Sequence, residues 1–151
     1  MPGDQNSSIY HAVPGGSDLV RWFGQVPSFH DAEVLSLHLR RKGPSVLSLH
    51  SWIMKRDHEG FIVLDKHAVV KFTLTGIMNL ELGEFSSQNV IRGLTLRRAL
   101  DRPERRCHLA LSALPEDIEI ALESCFGLHG LIRARSVAIA FQPGKPDEQD
   151  H

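Results

Sequence analysis

No charge of one sign dominates this sequence. Lysine and arginine total 17 and aspartate and glutamate 18, a formal net charge of −1, so the basic excess typical of a nucleic-acid binder is missing. Cysteine is scarce. Cys107 and Cys125 are the whole complement, each inside a predicted strand among apolar neighbours. They read as two reduced core thiols, and a disulfide would require their strands to lie side by side with close Cα atoms. No apolar run reaches the roughly 18 residues needed to span a bilayer as a helix. The N-terminus lacks a basic region followed by an apolar core, so it does not read as a secretory signal, and a cytoplasmic location is expected. A glycine-rich phosphate loop, a serine nucleophile elbow and a paired-cysteine motif are missing too.

What is present suits a globular chain. Its 151 residues are 42% apolar, enough to bury a core without disulfides, and a single domain over 1–151 is expected, with an ordered core over about 9–142. Apolar and polar residues alternate with the period of a strand over most of that length. Glu33 to Arg41 and Ser45 to Lys55 alternate on either side of Gly43-Pro44 and predict an antiparallel hairpin, with Leu35, Leu37, Leu39, Leu47, Leu49 and Ile53 on the core face. Symmetry about Pro44 would set Leu39 opposite Leu49 and His38 opposite His50. Further strands are predicted at Phe61–Leu64, His67–Thr75, Met78–Leu82, Val90–Leu100 (with a bulge or close approach at Gly93), Cys107–Ala113, Asp117–Glu123 and Leu131–Phe141. One short helix, capped by Ser17 or Asp18 and ended by Gly24, precedes them. About eight antiparallel strands without alternating long helices point to a mainly β sandwich or open barrel.

The stretch from Trp22 to Val34 concentrates the chemistry-bearing residues. Trp22 and Phe29 are expected to be buried and to pin the helix to the first hairpin. His30 beside Asp31 invites an acid–base reading, and with Glu33 it would be the site of a small-molecule-binding or metal-dependent enzyme. Strand neighbours point to opposite faces, however, so a direct dyad is not expected, and Asp31 is expected to cap a turn or bond backbone amides. The 9 histidines are scattered; His38 and His50 are close only if the symmetric hairpin register holds, and no third metal ligand is visible. Gln88 and Asn89 sit where a loop enters a strand and are expected to satisfy backbone groups. Arg92, Arg97, Arg98, Arg102, Arg105 and Arg106 make a locally basic segment. Glu116, Asp117, Glu119 and Glu123 make a locally acidic one, the expected partner-binding face of the two.

Trp22-Phe23-Gly24 followed by Pro27-Ser28-Phe29-His30-Asp31-Ala32-Glu33-Val34 resembles the signature of the immunity protein 50 family of bacterial polymorphic toxin systems. Val70-Lys71-Phe72, Leu80-Glu81-Leu82, Phe85, Gln88-Asn89-Val90 and Cys125-Phe126-Gly127-Leu128-His129-Gly130 extend the resemblance over roughly residues 17 to 142; Leu100 to Arg106 has no counterpart. The resemblance implies a mainly β, cytoplasmic protein that binds and neutralises a cognate protein toxin. It implies no catalysis, cofactor or metal, no nucleic acid and no membrane. Its motif residues Trp22, Gly24, Phe29, His30, Asp31, Gln88, Asn89, Gly127 and Gly130 would then be structural.

Overall fold

The computed structural model describes residues 9–99 and 117–146. Its elements are α1 (Gly16–Phe23), β1 (Glu33–His38), β2 (Ser45–Arg56), β3 (Ile62–Gly83), β4 (Val90–Arg98), β5 (Ile118–Phe126) and β6 (His129–Pro143). All strand pairs are antiparallel, and the order β1-β2-β3-β6-β5-β4 closes into a barrel. The mainly β class expected from the alternation therefore holds, and the sheet is a closed barrel rather than a sandwich or an open one. The described residues contain six strands. Three predicted strands, Phe61–Leu64, His67–Thr75 and Met78–Leu82, run together as β3. Gly76 does not end it, because a bulge between Ile77 and Asn79 absorbs the irregularity while β6 stays paired on both sides. The predicted strand Cys107–Ala113 lies outside the described residues.

The barrel is closed by the Ser28–Val34 stretch. Glu33 pairs with Val90. Around that bridge Val34 N–H donates to Asn89 O at 2.8 Å, Ile91 N–H to Ala32 O at 2.9 Å, Asp31 N–H to Ile91 O at 3.0 Å and Leu94 N–H to Ser28 O at 3.1 Å. A closed sheet leaves few unpaired strand edges.

The β1–β2 hairpin forms in a different register from the symmetric one. Leu37 faces Leu47 and His38 faces Val46, and a bulge between Val34 and Ser36 shifts the ladder so that Glu33 faces His50. That extra residue moves the inward face of β1 from Val34, which is buried, to Leu37 opposite Leu47; Leu39, beyond the end of β1 at His38, is 47% exposed. Leu47 and Leu49 lie in the core as expected, with Leu35, Leu37 and Ile53 only partly covered.

Helix α1 ends at Gly24, whose N–H donates to Val20 O at 2.8 Å. Its N-cap is Gly15 rather than Ser17 or Asp18. A Cβ at Gly15 would lie 1.8 Å from Ile139 O, and Ile139 N–H donates to Pro14 O at 2.7 Å. Backbone is pressed on backbone there, and only glycine permits it. Residues 9–12, ahead of this junction, form one further helical turn. The helix therefore packs on β6, not on the first hairpin. Leu19 and Phe23 join the same core as Leu49, Phe72, Ile120 and Ile132. Trp22 is half-buried, its ring 5.0 Å from Phe23 and 5.4 Å from Phe141, with the Lys66 ammonium 5.1 Å above it.

Tyr10 is fully buried in this core, and among the described residues its hydroxyl has no hydrogen-bond partner. Burial pushes its phenol well above the ordinary value. The unfolded chain ionises near pH 10 while the folded one holds its proton, so the contribution of Tyr10 to stability should be constant below that point. Above it, the unfolding constant should rise up to tenfold per pH unit. Tyr10 is the single tyrosine, so phenolate absorbance reports it alone. That absorbance should appear together with unfolding, and a Tyr10→Phe variant should resist alkali better. A phenolate signal near pH 10 in folded protein would contradict the packing.

Candidate protein-interaction surface

β2 pairs with β1 only as far as His50, and β3 pairs with β6 only from Ala68 onward. Between those limits, among the described residues, β2 and β3 pair only with each other. Ile53–Asp65, Met54–Leu64, Lys55–Val63 and Arg56–Ile62 form a two-stranded arm. The tip is built by its own residues. Asp57 Oδ1 accepts from Glu59 N–H and Phe61 N–H, both at 2.9 Å, and Arg56 donates to Gly60 O at 2.9 Å. On one side of the arm Lys55 bridges Asp65 at 2.8 Å. That hydrogen bond, with one from the Lys66 backbone, holds the Asp65 carboxyl below the usual range.

Directly opposed residues project from the same face. Met54, Leu64 and Ile62 therefore share a face, and Phe61 stands at the tip opposite Asp57. These four side chains are between 47% and 66% exposed. Single exposed apolar residues are ordinary, but four together on a projecting ribbon mark an interaction surface. Leu80, Phe85 and Phe126 are exposed elsewhere on the barrel.

Of the motif residues read from the sequence, Phe29, His30, Asp31, Asn89 and Gly127 gather along the barrel closure. Phe29 and Asp31 both take positive φ, 60° and 64°, so the segment is a turn and not a strand. That overturns the expectation that His30 and Asp31 point apart: His30 Nε2 lies 3.5 Å from Asp31 Oδ2. His30 Nδ1 is 3.0 Å from Arg92 O. A carbonyl only accepts, so Nδ1 carries the proton. The Nδ1–H bond latches the turn to β4, and Nε2 pairs with the Asp31 carboxylate only when the ring is protonated. A cleft of about 570 Å³ adjoins it, lined among others by Tyr10, Ser28, Arg92, Thr95 and Glu123.

Asn89 is buried and serves backbone, as expected. Its Oδ1 accepts from Ser86 N–H and Leu128 N–H, both at 3.0 Å, and its Nδ2 donates to Ser86 O at 2.8 Å. Gly127, at φ 83°, passes so close that a Cβ would lie 2.6 Å from Asn89 Oδ1, which explains a glycine there. Gly130 faces Leu82 across the β3–β6 ladder. Gln88 is exposed and bonds locally with Ser86. Gly24 and Trp22 stand apart from this group, on α1.

The acidic segment is not a solvated face. Asp117 and Glu119 are buried. Glu119 is tied to Arg133 at 2.6 Å and to Arg97 at 2.9 Å. Glu123 is exposed, and Glu116 lies outside the described residues, as do Arg102, Arg105, Arg106 and Cys107. Cys125 is free and exposed, not a core thiol.

Comparison with protein-family models, with curated proteins and with solved structures returned no match. Among the described residues no helix is long and apolar enough to cross a membrane, and no group of three or more histidine, cysteine or acidic side chains is placed to hold a metal.

Sequence reasoning missed two features. One is the arm, whose signal was the apolar run Phe61–Leu64 directly after the Asp57–Gly60 turn. The other is a contact of His50 with His67, at 3.0 Å between Nε2 and Nδ1. The symmetric register had instead put His50 against His38. No local pattern announces the observed pair, because the two histidines are 17 positions apart on different strands.

Proposed function

We propose that this chain is a toxin-neutralising immunity protein that acts by protein–protein binding, and that the β2–β3 arm docks it. The observation that carries the reading is the apolar face of Met54, Ile62 and Leu64, with exposed Phe61 at the tip, held out from the barrel on a ribbon stiffened by its own turn and by the Lys55–Asp65 bridge. An apolar centre ringed by polar groups, here Lys55, Arg56, Asp57 and Glu59, is the usual anatomy of a specific interface. A standard one needs about 800 Å² per partner, so the barrel wall beside the arm would contribute the rest. The resemblance of Trp22–Val34 and the later motifs to immunity protein 50 supplies the class of partner.

The test is co-expression with the neighbouring open reading frame. Its product alone should arrest growth. This chain should restore growth and co-purify with that product. An Ile62→Lys/Leu64→Lys variant should lose at least about 30-fold in affinity, corresponding to a hot spot of roughly 2 kcal/mol, at an unchanged unfolding midpoint. A harmless neighbour, no complex at micromolar concentration, or full binding by the arm variant each defeats the proposal.

A further inference from the structure

Alternation along β2 and β3 places Leu49, Ser51 and Ala68 inside the barrel, so His50 and His67 project from its outer surface. They stand at the base of the arm, where β2 carries a bulge between Ser51 and Ile53. The rings stack at 5.2 Å between centroids, 29° from parallel, and His50 Nε2 lies 3.0 Å from His67 Nδ1. Trp52 closes over both, 4.9 Å from the His50 ring and 5.9 Å from the His67 ring.

Two imidazoles bound to one metal at about 2.0–2.1 Å per Zn–N bond, and at a bond angle between square-planar and tetrahedral, bring their nitrogens about 2.9–3.4 Å apart. The observed 3.0 Å falls in that interval, so the two rings need to turn toward a shared metal but not to move apart. Both residues sit on paired strands, and Gly144 N–H donates to His67 O at 2.6 Å, so the backbone on which the pair stands is fixed.

We propose that His50 and His67 form a two-imidazole site for a divalent transition metal. Copper binds ahead of nickel and zinc, as the general affinity order of nitrogen sites dictates. Before binding, the two nitrogens share one proton in an N–H···N hydrogen bond. On binding, the ring that donates it takes up a proton at its other nitrogen while the shared proton leaves to solvent, so both facing lone pairs reach the metal with no net proton change. Water fills the other positions. The metal then clamps β2 to β3 where the arm leaves the barrel.

The test uses tag-free full-length protein. The chain has two tryptophans, so Trp22→Phe leaves Trp52 as the sole fluorophore beside the site. Titration with copper(II) or nickel(II) alone should quench it saturably at micromolar metal. His50→Gln and His67→Gln should each weaken that response at least tenfold. In the unsubstituted protein, nickel(II) should broaden the NMR signals of His50 and His67 before those of any other histidine, a readout that needs no variant. Absence of saturable quenching, equal quenching in both variants, or broadening centred on another histidine overturns the site.

Discussion

Glu119→Ala should lower the stability of the fold by about 3–5 kcal/mol, the usual penalty for breaking a buried ion pair by removing one partner. Its carboxylate is 1% exposed, and the Arg133 guanidinium it holds is only 7% exposed. Arg97, Glu119 and Arg133 are rungs of one ladder across β4, β5 and β6. Oε1 takes Arg133 Nη2 at 2.6 Å and Nε at 3.2 Å, and Oε2 takes Arg97 Nε at 2.9 Å. Alanine would leave the Arg133 cation desolvated without the acid that balances it. Arg97→Ala should cost far less, within about 1 kcal/mol, because its side chain is 46% exposed and water screens it. Glu119→Leu combined with Arg133→Met should recover much of the loss, since two well-packed apolar side chains avoid desolvating either charge. Denaturant unfolding of the four proteins decides the matter. A Glu119→Ala midpoint equal to that of the parent would mean the pair is not desolvated.

Phe29→Ala should be comparably damaging, at about 3–5 kcal/mol for a buried phenylalanine. The ring is 1% exposed and meets Phe72 edge-on at 5.8 Å between centroids. It is also held on a residue with φ 60°, a conformation that costs energy in any side-chain-bearing residue and persists only where surrounding contacts enforce it. Removing the ring removes those contacts. The turn through His30 and Asp31 should then loosen its bonds to Arg92 and Ile91, and the barrel should open at its closure. Trp22→Ala should cost less than Phe29→Ala, although both aromatics stand in the same sequence block. Trp22 is half-buried and leans on Phe23 and Phe141 at the edge of the core. Amide exchange would separate the two: Phe29→Ala should speed exchange at Asp31 and Ile91, and Trp22→Ala should not. Equal effects from the two variants would refute this assignment.

Much of the architecture was legible because strands announce themselves locally. The alternation at Glu33–Arg41, Ser45–Lys55 and Leu131–Phe141 needs only the two-residue period of a pleated strand. The helix stop at Gly24 follows from glycine's own conformational range, and the irregularity expected near Gly93 falls between Ile91 and Gly93. The candidate site was legible in fragments. The Phe29–Asp31 and Gln88–Asn89 blocks stood out as unusual residue clusters. Their meeting along one closure was invisible, because it depends on β1 reaching β4 across the whole chain. The acidic segment misled for the same reason. Charge spacing along β5 suggests a wet face, and only the flanking strands supply Arg97 and Arg133 to neutralise Glu119.

By itself, then, the sequence determined a β chain with a short leading helix, the pairing of its first two strands as a hairpin and the burial of Leu47 and Leu49. Each of these rests on interactions between near neighbours or on side-chain polarity. Tertiary structure alone decided the closed barrel, the register of the first hairpin, the projection of residues 53–65 beyond the sheet and the meeting of His50 with His67. Each of these is set by where a distant strand stops pairing, and a one-residue bulge, as at Leu35 or Trp52, redirects every side chain beyond it.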